Sequence, residues 1–146
     1  PDHGDRQVTH RFLNILLCAA ALAIAPLASA ADIAIEQGKD KGSISVPSFE
    51  RILKENPSQI VVVDVRDEKD VKQGTFPGAI NIPVGEVEKR IGELPKGKPV
   101  VFVCSTGARS GEAYDTVMLL GNKDLPMYFL DANVTFKDGG YQIKAR

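Results

Sequence analysis

Between residues 44 and 130 the chain alternates between two kinds of apolar pattern. Ile60–Val65 and Pro99–Val103 are apolar at almost every position and rich in β-branched residues, which predicts strands buried on both faces of a parallel sheet. Met127–Leu130 and the shorter Ala79–Ile82 predict two more strands. Between these runs the apolar residues recur three and four apart, the period of a helix with one buried face. Phe49, Ile52 and Leu53 do so after Pro47, up to Asn56-Pro57. Val87, Ile91 and Leu94 do so within 84–94, and Ala113, Val117 and Leu120, with Tyr114 and Met118 beside them, do so between Gly111 and Gly121. Glu68 to Gly74 fits a single helical turn. Alternating strands and helices predict an α/β domain on a mostly parallel sheet. Beyond it, Val134 to Ile143 reads as two short alternating segments around Asp138-Gly139, a hairpin signal.

The first residues carry a different pattern. Arg6 and Arg11 precede an apolar stretch, Phe12 to Leu27, that ends in Ala28-Ser29-Ala30. A basic start, a short apolar run and small residues before a cut predict a cleaved secretory signal over 1–30, with Ala31 first in the mature chain and a periplasmic location. An uncleaved anchor would want a longer span and flanking charges. A lipid anchor on Cys18 is excluded, because Leu16 and Leu17 stand where small residues are needed. Polar, glycine-punctuated residues 31–43 predict a flexible arm, with room for a short edge strand, and 44–146 the folded domain. With no stop-transfer segment, no stable membrane association is expected after cleavage.

Removing the leader changes the chemistry more than the charge. The whole chain has 18 basic and 19 acidic residues. Without the two of each sign in the leader it keeps 16 against 17, with no basic block to attract nucleic acid. Both histidines, His3 and His10, leave with it, as does Cys18. One cysteine remains, Cys104, and neither a histidine-based triad nor a histidine metal site can be built. No metal and no cofactor are expected. An unpaired cysteine in an exported chain marks a reactive thiol or an intermolecular bridge.

Cys104 stands where a buried strand ends, which is where ligands bind in open parallel sheets. A free cysteine there is commonly a small core residue. The following Ser105, Thr106, Gly107 and Ala108 weigh against that, since small residues let successive amides curl inward as an anion nest. A nest at a helix N-terminus can bring a thiol down to roughly 3.5–7.5. Arg109 then offers a cation for an anionic substrate, and Ser110 suits the N-cap of the next helix.

Cys104-Ser-Thr-Gly-Ala-Arg109-Ser110 resembles the active-site loop of the rhodanese (sulfurtransferase) family. Val63-Asp64-Val65-Arg66, then Gly74-Thr75-Phe76-Pro77-Gly78-Ala79-Ile80-Asn81-Ile82-Pro83, resembles that family's other signature, so the likeness spans residues 44–130. It implies a mainly parallel five-stranded sheet flanked by helices and a cysteine that cycles between thiol and persulfide. The donor it implies is thiosulfate or another sulfane-sulfur carrier, and the acceptor cyanide or a thiol, a small periplasmic thiol protein included. By the same likeness Cys104 is the nucleophile, Ser105 to Arg109, with Thr106, Gly107 and Ala108 between them, the cradle, and Arg109 also the seat of the sulfonate. Asp64 and Arg66 brace the loop from behind, and Pro77-Gly78 turns the chain into the next strand. The chain departs from the family at Thr75-Phe76, where a histidine or tyrosine is common. It departs again after Leu130, where Asp131-Ala132-Asn133 and a hairpin replace a glycine pair and a tryptophan-bearing helix.

Two other functions compete. A phosphatase or arsenate reductase also pairs a loop cysteine with an arginine, but its loop is one residue longer and encloses a larger oxyanion. A sulfur-carrying or docking module would load sulfur on Cys104 without rapid turnover.

Overall fold

The apolar runs pair as the strands they predict. In the computed structural model, which describes residues 31–122 and 124–146, β2 (Val61–Asp64) lies parallel to β4 (Val100–Val103), with Asp64 opposite Val103. No residue of β4 is more than 1% exposed, so each of its β-branched side chains meets a packed layer. β5 (Met127–Leu130) flanks β4 and β3 (Ile80–Asn81) flanks β2. The edge strand β1 (Ser43–Ile44) pairs with β5. The five strands run β1-β5-β4-β2-β3, all parallel, so the carboxyl ends of β2, β4 and β5 open on the same edge.

Ser45 starts α1 (Val46–Glu55): its hydroxyl accepts from the Ser48 amide at 3.3 Å, and Pro47 occupies the first turn. α1 packs Phe49 and Ile52 against one sheet face, with Val62, Val101 and Val103. The other face is covered by Val87 of α3 (Val87–Arg90) and by Ala113 and Val117 of α4 (Ala108–Leu119), which meet Val63 and Phe102. α2 (Glu68–Val71) is the expected single turn. After β5, β6 (Ala132–Lys137) and β7 (Gly140–Ala145) form the expected antiparallel hairpin. Asp138 and Gly139 both have positive φ, 53° and 74°, as a two-residue turn of this hand requires.

Three expectations are corrected. The helix expected over 84–94 is broken into 3₁₀ turns at Val84–Glu86 and Ile91–Glu93 on either side of α3, because Gly85 and Gly92 weaken a continuous helix. α4 begins at Ala108, three residues before the expected Gly111. Leu120 is 44% exposed rather than buried, since α4 ends at Leu119 and the chain turns away through Gly121 at φ 81°. Residues 31–43, expected as a flexible arm with room for a short edge strand, are hydrogen-bonded to the body and lead into the edge strand β1 at Ser43. Gln59 exchanges two bonds with the Ile33 backbone, and Ser48 Oγ accepts from the Glu36 amide and donates to the Ala34 carbonyl. The expected signal peptide over 1–30 and its cut before Ala31 lie outside the described residues.

Candidate active site

Strand β4 carries four buried apolar residues to the edge of the sheet and stops at Cys104, itself 2% exposed. The chain can turn back at once because Gly107 takes φ 94°, a conformation open to glycine and costly for side-chain-bearing residues. Space requires glycine there as well: a Cβ would lie 3.0 Å from the Asp131 Cα and still closer to its carboxylate. Gly107 thereby becomes the N-cap of α4, and the first turn of that helix starts beneath the sulfur.

The loop points its amides inward. The Gly107 N–H donates to the Cys104 Sγ at 3.1 Å, and the backbone dipoles of Thr106 and Ser110 also favour charge on the sulfur. The Ser110 hydroxyl lies 3.5 Å from Sγ. Burial pushes the Cys104 thiol up, but the Ser110 hydroxyl and the amides of Thr106, Ser110 and Gly107 together outweigh it and hold the thiol below its ordinary range. The groups that lower it are the dipoles of a hydroxyl and of backbone amides.

Ser110 is not the N-cap. It sits one turn inside α4, wholly buried, and its hydroxyl is within hydrogen-bond distance of the Gly107 carbonyl at 2.9 Å and the Leu130 carbonyl at 3.0 Å as well as of the sulfur. Its position six residues after the cysteine was the available signal: a helix that starts at Ala108 turns that side chain back toward the loop. The thiol proton can rest on Ser110 Oγ, and when the sulfur is ionised the hydroxyl can turn to donate to it.

Arg109 projects from the first turn of α4 at the mouth. Its Nη2 donates to Ser105 Oγ at 3.3 Å, and Nη1 lies 4.0 Å from the Asp70 carboxylate of α2. The guanidinium stays one-third exposed, within reach of an incoming anion and of a competing carboxylate.

Asp64 and Arg66 form a separate buried network. The Asp64 carboxylate, fully buried, accepts from the Arg66 backbone at 3.0 Å, from the Arg66 guanidinium at 2.7 Å and from Thr75 Oγ1 at 2.6 Å. Arg66 also donates to the Gly74 carbonyl at 2.6 Å and lies 4.3 Å above the Phe136 ring. Asn81 ties the strand ends together by donating to the carbonyls of both Asp64 and Arg66. These side-chain bonds fix the 74–81 segment and the hairpin; contact with the cysteine loop runs through the backbone, the Val65 N–H donating to the Val103 carbonyl at 2.9 Å. The Pro77-Gly78 turn is closed by the Ala79 N–H on the Phe76 carbonyl at 3.1 Å.

Two departures from the expected pattern acquire a role. Phe76 is fully buried and meets Phe49, Phe136 and Tyr141 with ring centroids 5.2, 5.1 and 4.7 Å away, joining α1 to the hairpin. The hairpin itself abuts the cysteine loop: the Val134 N–H donates to the Ser105 carbonyl at 2.8 Å, and Arg146 Nη1 donates to the Thr106 carbonyl at 3.1 Å. Sequence periodicity flagged the hairpin but not its partner.

Residues 45–142 match the rhodanese-like domain family. The thiosulfate:glutathione sulfurtransferase of Saccharomyces cerevisiae is 31% identical, over 73% of this chain and 88% of that protein. A sulfurtransferase of Allochromatium vinosum is 36% identical over 42% of this chain and 58% of its own length. Among solved structures, a human single-domain sulfurtransferase superposes with a TM-score of 0.50 at 26% identity, covering 62% of this chain and 89% of that one. The chain spans about half the length of the first curated relatives it matches. A match over most of the chain, a strand-end cysteine in a cradle of amides and an arginine five positions on make the conclusion direct: this chain belongs to the rhodanese-like domain family.

Proposed function

We propose that the protein is a sulfurtransferase that carries sulfane sulfur through a persulfide on Cys104. The observation that carries this reading is the cradle around a single buried sulfur, where the Gly107 N–H lies 3.1 Å and the Ser110 hydroxyl 3.5 Å from Cys104 Sγ. Such a cradle favours a thiolate, the attacking form, and equally favours the anionic persulfide that follows it. With thiosulfate as donor, the Cys104 thiolate attacks the outer sulfur, the S–S bond to the sulfonate breaks with its electron pair, and sulfite leaves. Cys104 then holds S–S⁻. A thiolate acceptor or cyanide attacks the terminal sulfur of that persulfide, releasing a persulfide or thiocyanate product and restoring the thiolate. Arg109 receives the sulfonate, exchanging Asp70 for the substrate anion. The four-residue interval between Cys104 and Arg109 favours this over a phosphatase, whose loop is one residue longer.

The test is intact mass after incubation with thiosulfate, then with cyanide. Gain of one sulfur atom, absent in Cys104→Ser, followed by its loss as thiocyanate, is expected. No gain would sink the reading, and a gain without turnover would make the protein a sulfur carrier. We further propose export to the periplasm, where a small thiol protein is the acceptor; the pattern of residues 6–30 supports it. N-terminal sequencing of exported protein is expected to begin at Ala31, and retention of Phe12–Leu27 would refute it.

A further inference from the structure

The inward amides have an outward side. A trans peptide holds its N–H and C=O pointing in opposite directions, so each amide aimed at the sulfur sends a carbonyl away from it. The Thr106 N–H shares its peptide with the Ser105 carbonyl, and the Gly107 N–H shares its own with the Thr106 carbonyl. Both carbonyls are taken by the hairpin side of the molecule: Ser105 by the Val134 N–H at 2.8 Å, Thr106 by Arg146 Nη1 at 3.1 Å. The same Nη1 lies 3.1 Å from Asp131 Oδ1. That carboxylate is mostly buried, and it is the atom a Cβ on Gly107 would strike.

We infer that Arg146 is a positioning residue for the nucleophile: held by Asp131, it grips the Thr106 carbonyl and so keeps the Gly107 N–H aimed at the Cys104 sulfur. A cation on a carbonyl also polarises the amide at the other end of the same peptide. The hairpin that stands where the family has a tryptophan-bearing helix is thereby coupled to the reactive sulfur. Other charged groups around the loop are Arg109 of α4 with Asp70 of α2, and the Asp64–Arg66 pair at the end of β2. All stay unchanged in the variants below.

Asp131 gives the test its sign. A purely electrostatic account says that removing the Asp131 carboxylate eases ionisation of the nearby thiol. The positioning account says the reverse, because Arg146 loses its anchor. The experiment is iodoacetamide alkylation of the full chain as a function of pH for wild type, Arg146→Gln, Asp131→Asn and the double variant, with circular dichroism as a check on folding. Arg146→Gln is expected to raise the midpoint by about half to one pH unit, the size of one ordinary hydrogen bond. Asp131→Asn, nearly isosteric, is expected to raise it in the same direction, and the double variant to match Arg146→Gln rather than add to it. A midpoint that is unchanged in Arg146→Gln, or unchanged or lowered in Asp131→Asn, overturns the inference. The catalytic consequence rests on the proposed sulfur transfer, but alkylation reads the thiol directly, so the two can fail separately.

Discussion

Two neighbouring strands end in buried polar groups, and they solve the same problem in opposite ways. At the end of β2 the Asp64 carboxylate is neutralised by the Arg66 guanidinium 2.7 Å away, with Thr75 and Asn81 completing the network. At the end of β4 the Cys104 sulfur meets amides and a hydroxyl and, among the described residues, no directly bonded cation. Compensation by a full countercharge produces a closed structural joint, since every lone pair is already occupied. Compensation by dipoles leaves the sulfur nucleophilic while still making its charge tolerable. Both groups are buried, and the kind of partner separates scaffold from chemistry.

The comparison predicts a double dissociation. Cys104→Ser is expected to abolish sulfur transfer entirely, because a hydroxyl is a poor nucleophile and cannot hold a persulfide, while the circular dichroism spectrum and urea midpoint stay near wild type. Thiocyanate formation surviving in this variant would misassign the site. Asp64→Asn should do the opposite at the level of folding. It leaves the Arg66 cation, 6% exposed, without its countercharge, and breaking a buried pair from one side costs about 3–5 kcal/mol. Urea denaturation reads that loss directly. A change below about 1 kcal/mol would mean that the Gly74 carbonyl and the Phe136 ring suffice to hold Arg66.

The same contrast explains what the sequence made legible. The strand–helix order, the cysteine at the end of β4 and its small-residue cradle are local, carried by unbroken apolar runs and by the residues that directly follow Cys104. Ser110 is not an N-cap because α4 starts at Ala108 behind Gly107 with its positive φ, where Asp131 from across the sheet edge leaves no room for a Cβ. Asp64 and Arg66 are expected to brace the cysteine loop, yet their side-chain partners Gly74, Thr75 and Phe136 lie across turns and a hairpin whose docking no period encodes. The role of Phe76 is hidden from the sequence for the same reason, since its ring partners come from α1 and from both hairpin strands.

If dipoles rather than Arg109 activate the sulfur, removing Arg109 should cost binding and spare reactivity. Arg109→Ala is expected to lower kcat/KM for thiosulfate about ten- to hundredfold, the loss of a charge-assisted contact of roughly 1.5–3 kcal/mol. An uncharged persulfide donor should lose little. The alkylation midpoint should stay below that of a free thiol, since the hydroxyl and amides that lower it remain. Equal losses for both donors would make Arg109 a shaper of the loop, and a midpoint returned to that of free cysteine would make it the activator.

Asp70 offers the smallest and sharpest probe of that division. Its carboxylate, 4.0 Å from Arg109 Nη1 and about as exposed as the guanidinium, competes with an incoming anion for the same cation. A pair this open is worth about 0.2–1 kcal/mol. Asp70→Asn should therefore raise kcat/KM for thiosulfate by no more than about fivefold, through KM rather than kcat. The gain should shrink in high salt, which screens exposed charges separated by more than a few ångströms. It should vanish for an uncharged donor, and vanish again in Asp70→Asn combined with Arg109→Ala, where no cation remains to be released. A gain that persists without Arg109 would show Asp70 repelling the donor directly, and the arginine would then be one charge among several at the mouth instead of the anion's seat.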